Sequence, residues 1–97
     1  MLFRSSINNQ WSDRYTVIEV SGLDRPGRLY QLTTSISKLK LNIASAHVAT
    51  FGERARDVFY VTDLLGAQIN APTRQAAIKS ALIHLLANDE AAEQPAA

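Results

Sequence analysis

The sequence predicts an α+β fold of two layers, a four-stranded antiparallel sheet with two helices on one face. Three observations predict it. Four runs of residues have strand character, two runs repeat apolar residues at helical spacing, and their order is strand, strand, helix, strand, strand, helix. The length of 97 residues is that of one domain, and 46% apolar or aromatic residues suffice for a single modest core.

The elements follow in order. Leu2 to Asn8 makes a short strand with Phe3, Ser5 and Ile7 on one face, and Asn8 to Arg14 is turn-rich. Tyr15 to Val20 is a stronger strand, with Thr16, Ile18 and Val20 on one face and Tyr15, Val17 and Glu19 on the other; Gly22 ends it. Asp24-Arg25-Pro26-Gly27 opens a helix whose stripe is Leu29, Leu32, Ile36 and Leu39. Leu41 to Thr50 is a long strand rich in small residues, and Phe51-Gly52-Glu53-Arg54 is a hairpin turn. Arg56 to Leu64 is the next strand, closed by Gly66. Pro72 opens the second helix, with Ile78, Leu82, Leu85 and Leu86 as its stripe. The apolar pattern is lost beyond it, so residues 1–88 form the domain and residues 89–97 a disordered tail.

Two amphipathic helices must bury their stripes on one sheet face, which is the ferredoxin-like arrangement. Nothing strand-like follows Ala87. Leu2–Asn8 therefore takes the edge position that a last strand usually holds, a permuted ββαββα order, and pairs with Tyr15–Val20. The uncovered sheet face carries Tyr15, Val17, Val58 and Tyr60, an apolar patch that predicts a homodimer or contact with another domain.

Composition excludes several functions. Without cysteine there is no disulfide, thiolate metal site or cysteine nucleophile. A net charge of +1 gives no electrostatic case for nucleic acid or an anionic membrane. No window approaches the roughly 18 apolar residues of a membrane span, and the N-terminus lacks the apolar core of a signal peptide, so a cytoplasmic domain is expected. His47 and His84 sit on different elements without metal-ligand spacing. Asp57 and Asp63 share a strand face but lie roughly 20 Å apart at ~3.3 Å per residue, too far for paired acid–base work. Arg56-Asp57-Val58-Phe59-Tyr60-Val61 only loosely matches an RNA-recognition strand, lacking its glycine and third aromatic.

The most informative segment is Leu23-Asp24-Arg25-Pro26-Gly27-Arg28-Leu29. A helix start offers unpaired N–H groups and the positive end of the helix dipole, and Gly27 lets a ligand approach the backbone. That suits a carboxylate or phosphate, with Asp24 capping the helix or receiving an amino group. The same residues also make an ordinary turn and cap. Asn42 is a second candidate, or else the residue that stops the first helix. It begins the strand at the end of the sheet opposite Gly27, so the two meet only across a dimer.

Val17-Ile18-Glu19-Val20-x-Gly22-Leu23-Asp24-Arg25-Pro26-Gly27-Arg28-Leu29 resembles the start of an ACT domain. Ala46 to Arg54 and Asp57-Val58-Phe59-Tyr60-Val61-Thr62-Asp63 resemble the C-terminal ACT domains of the bifunctional uridylyltransferase/uridylyl-removing enzymes that modify the PII signal protein. The likeness runs from about Arg4 to Leu86. It implies a regulatory amino-acid-binding module in nitrogen metabolism, glutamine foremost, with the nucleotidyltransferase and hydrolase chemistry in upstream domains and no catalytic residue, cofactor or metal here. The implied ligand site is Asp24, Arg25, Pro26, Gly27, Arg28 and Leu29 with Asn42, Ile43 and Ala44. The implied partners are the amino acid, the upstream catalytic domains or a sister ACT domain, and a second copy. The family usually has an apolar residue where this chain has Arg28. The alternative reading is a ligand-free interaction and dimerisation module.

Overall fold

The computed structural model describes residues 4–23 and 27–93, with side chains as far as Leu85 in the last helix. Leu2 and Phe3, to which the sequence assigns strand positions, lie outside those described, as does the side chain of Leu86, assigned to the stripe of the second helix. Six elements follow one another: β1 (Arg4–Asn8), β2 (Thr16–Leu23), α1 (Arg28–Lys38), β3 (Leu41–Phe51), β4 (Arg54–Asp63) and α2 (Pro72–Glu93). The sheet order is β1-β2-β4-β3, with every neighbouring pair antiparallel. This is the ferredoxin-like, two-layer arrangement read from the sequence.

Alternation decides which side of each strand is buried. Ile18 and Val20 of β2 and Phe59 and Val61 of β4 point to the same side and pack against Leu32 and Ile36 of α1 and Ile78 and Leu82 of α2. Both helices therefore cover one face of the sheet. Ser5 and Ile7 pair with Val20 and Ile18, which places them on that face too. β2 does not stop at Gly22: the strand runs to Leu23 because Gly22 and Leu23 pair with Ala55 and Arg54.

β3 is an edge strand, and its alternation is interrupted. Leu41 and Ile43 pair with Asp63 and Val61, then the register shifts so that Ser45 pairs with Tyr60 and Ala46 with Phe59. Ala44 is the extra residue of a β-bulge. The β3–β4 hairpin closes on Phe51↔Arg54, with Gly52 at φ 63°. A two-residue turn of this kind takes glycine first, where a positive φ is needed.

The buried stripe of α1 is Arg28, Leu32 and Ile36, spaced by four. Leu29, expected to begin it, is 43% exposed, and Arg28 takes the inward position instead. The helix stops at Leu39 and Lys40, the latter in the left-handed conformation at φ 62°, and Lys40 N–H donates to Ser37 O at 3.0 Å. Asn42 is therefore not the stop residue; it is the second residue of β3. α2 runs past Asn88 to Glu93, so the tail expected at residues 89–97 begins as helix. Ala and Glu are good helix formers even where the apolar spacing is lost.

A polar network closes the far end of the sheet. Thr16 Oγ1 donates to Asn9 Oδ1 at 2.6 Å and accepts from Ile69 N–H at 2.8 Å. Asn9 Nδ2 donates to Ile69 O, and Gln68 Nε2 donates to Ser12 O and Tyr15 O. These bonds tie the β1–β2 loop to the chain entering α2. Thr16→Val keeps the shape but leaves the buried Ile69 N–H without its acceptor. Its expected cost is about 1–3 kcal/mol, measurable by denaturant unfolding, with secondary structure unchanged by circular dichroism.

Candidate functional site

The turn from β2 into α1 is the first half of the expected site. Asp24, Arg25 and Pro26 lie outside the described residues. Gly27 is the N-cap of α1, at φ 78°, and among the described residues no side chain caps the helix. The first turn holds no acidic residue either. Among the described residues a Cβ at Gly27 would meet nothing within 4 Å, so none of them fills the open space beside it. Gln31 N–H closes the first helical bond on Gly27 O at 3.0 Å. Gly27 holds the N-cap position, where the positive φ suits a residue without a Cβ.

Arg28 does not face that open space. It is only 5% exposed, and its guanidinium lies between α1 and the sheet. Nη1 donates to Leu23 O at 2.6 Å and Nη2 to Val20 O at 3.4 Å. Nε stands 3.2 Å from Oδ2 of Asp57, itself 2% exposed, in a close charge contact rather than an aligned hydrogen bond. Asp57 sits directly across from Val20 on the core face of the sheet. Sequence spacing could not reveal this pair, whose members lie on α1 and β4. The visible signal was a charge on each of two otherwise apolar, inward-facing patterns.

Asn42, Ile43 and Ala44 are not brought to this turn within one chain. Leu23 and Phe51 both pair with Arg54 at one end of the sheet, while Asn42 pairs with Thr62 and Thr16 with Val61 at the other. On β4 the partners of Leu23 and Asn42, Arg54 and Thr62, are eight residue steps apart, roughly 26 Å at ~3.3 Å per residue. Asn42 is exposed, and its amide donates to Asp63 O at 3.5 Å. Ile43 packs against the core, and Ala44 is exposed at the bulge.

Asp63, beside Asn42, organises the exit of β4. Its Oδ1 accepts from Leu65 N–H at 2.9 Å and Ala67 N–H at 3.0 Å. The Ala67 N–H is the chief reason its carboxyl is held below the ordinary aspartate value. Burial opposes the shift, and the Leu65 N–H, the Arg74 charge and the Gly66 N–H add to it.

The uncovered sheet face carries an aromatic row. Tyr60 meets Tyr15 edge-on with ring centroids at 6.2 Å and His47 edge-on at 5.5 Å. His47 lies on the open sheet face, where the register shift after Ile43 places it, and His84 is exposed on α2. Arg56 grips Glu19 with both ends of its fork, at 2.9 and 3.0 Å. Next to them a shallow depression of about 250 Å³ is lined by His47, Val48, Ala49, Phe51, Arg56 and Val58. Val48 and Phe51 are 51% and 66% exposed. Among the described residues no three His, Asp or Glu side chains gather as a metal site would require. None of the described helices is long and apolar enough to cross a membrane.

The ACT domain family model matches residues 16–82, from the start of β2 into α2. The chain belongs to the ACT domain family. This ACT domain is 88% identical over 92 residues to a bifunctional uridylyltransferase/uridylyl-removing enzyme of Bradyrhizobium, a match covering 95% of this chain and 10% of that protein. An enzyme of the same name from Rhodopseudomonas palustris is 89% identical over 91 residues, covering 94% of this chain and 10% of the relative. The one from Nitrobacter hamburgensis is 86% identical over 88 residues, covering 91% of this chain and 10% of the relative. The ACT domain thus spans about a tenth of the length of these relatives. Among solved structures, an unknown protein from Galdieria sulphuraria shares the fold over 68% of this chain and 37% of its own, with a TM-score of 0.51 and 24% identity.

The lowered pKa of Asp63 sets a pH dependence. A carboxyl held below its unfolded value contributes stability that is complete above that value and is lost as pH falls through the folded one. Asp63→Ala is expected to lower the melting temperature at pH 7. The gap to the unsubstituted chain should close as pH falls below about 4, followed by thermal unfolding across that range.

Proposed function

We propose that this ACT domain is the regulatory, amino-acid-sensing segment of a bifunctional uridylyltransferase/uridylyl-removing enzyme, and that glutamine is its ligand. The observation that carries the reading is the 88% identity, over nearly the whole chain, to a segment of such an enzyme. On this reading the chain contributes no catalytic group, and the transferase and hydrolase chemistry lies in the remaining nine-tenths of the parent protein.

The ligand's α-carboxylate sits against the start of α1, over Gly27, where N–H groups and the helix dipole favour an anion. The turn Asp24–Leu29 forms this half of the site, with Arg28 acting from beneath. Asn42, Ile43 and Ala44 complete it from a second copy. β3 is an edge strand with small residues and no charged side chain along its length, the kind of edge that accepts another strand. Antiparallel pairing of two β3 strands sets the Asn42 end of one beside the Phe51 end of the other, which is the Gly27 end of the sheet. Ligand binding between copies then favours one arrangement of the dimer, and the differential affinity is what reaches the catalytic domains. The exposed Val48 and Phe51 favour a second reading, in which the dimer surface is itself the function and the site holds no ligand.

Calorimetry with glutamine on the dimer, verified by sedimentation, is expected to give saturable heat. Gly27→Val should weaken binding about tenfold or more while leaving sedimentation unchanged. Because Gly27 has φ 78°, the same change should lower stability by about 1–2 kcal/mol. No heat at millimolar glutamine from a folded dimer would sink the sensing reading and leave the interaction module.

A further inference from the structure

We propose that Arg28 and Asp57 are positioning residues, an internal clasp that holds the start of α1, where the β2–α1 turn ends, against the sheet and so presents Gly27 to an anionic ligand. The proposal rests on the reading of that turn as the ligand site. Arg28 is the first residue of α1, and its guanidinium reaches back across the turn to Leu23 O, the last carbonyl of β2. A second arm reaches Val20 O, and Asp57 on β4 neutralises the charge from below. One side chain thus joins both ends of the turn to two strands of the sheet.

Packing alone does not call for this pair. Arg28 occupies the inward stripe four residues before Leu32, where leucine or methionine would bury as well. Withdrawing two charges from water is expensive, and apolar replacements of such pairs are often neutral or stabilising. A cation at a helix N-terminus also opposes the helix dipole. An apolar side chain could not donate to Leu23 O and Val20 O. The arrangement therefore exchanges easy burial for a fixed placement of the start of α1 on β2, where a ligand would meet the main chain. Neutralised and buried, the guanidinium leaves the helix N–H groups to face the anion.

The test compares the full 97-residue chain with the double substitution Arg28→Met and Asp57→Leu. Three quantities are read: melting temperature, amide exchange along residues 27–31, and glutamine affinity by calorimetry. The clasp predicts a melting temperature at or above that of the unsubstituted chain, exchange of the Gln31 amide faster by about tenfold, and affinity weaker by about tenfold or more. Exchange and affinity both within about twofold of the unsubstituted chain would overturn it, as would faster exchange with affinity unchanged. If the double variant does not fold, Arg28→Lys serves: it keeps the charge opposite Asp57 but loses the fork on the two carbonyls, and the same two readouts apply. If the unsubstituted chain takes up no glutamine, the sensing function fails. The clasp is then judged by exchange alone: acceleration confined to residues 27–31, with the amides of β4 unchanged, supports it, and unchanged exchange refutes it.

Discussion

Everything in this domain depends on there being one apolar layer. The side chains of Ile18, Val20, Phe59 and Val61 meet those of Leu32, Ile36, Ile78 and Leu82 on one face of the sheet, and among the described residues no third layer covers the other. A chain of this size buries only about 60–65% of the surface it exposes when unfolded. Each strand must therefore turn its alternation the same way, and each helix must lay its stripe on the same side. The remaining face, with Tyr15, Tyr60 and His47 stacked edge to face, is left to solvent or a partner.

Within that layer Arg28 and Asp57 are the exception. They place opposite charges where every neighbouring inward position is apolar or small. Their proximity to the helix start suggests why such an exception persists. A guanidinium can fix backbone carbonyls in direction as well as distance, which dispersion contacts cannot.

How far the sequence revealed this follows from what each signal measures. Alternation in Thr16 to Val20 and Arg56 to Val61, spacing in Leu32, Ile36, Ile78 and Leu82, and Gly52 in its hairpin are local patterns, and each was legible. The exposure of Leu29 and the burial of Arg28 were not, because hydrophobicity ranks leucine inside and arginine outside unless a distant carboxylate is known to wait beneath. Likewise the bulge at Ala44 leaves no mark in a run of small residues that reads as one smooth strand. For the candidate site, the turn and its glycine stood out, but strand direction alone showed that Asn42 lies at the other end.

That bulge gives β3 a change of parity. Before Ala44 the odd-numbered residues, Leu41 and Ile43, face the helices; after it the odd-numbered residues, Ser45 and His47, face the open side. Both ends of the strand are anchored, one by the left-handed Lys40 and the other by the Gly52 hairpin. The number of residues between them is thus as much a part of the fold as their identity. Loss of a single alanine would set the two anchors in conflict, forcing either Leu41 into water or His47 into the core. A position whose side chain touches little can still be one where the chain tolerates replacement and not removal.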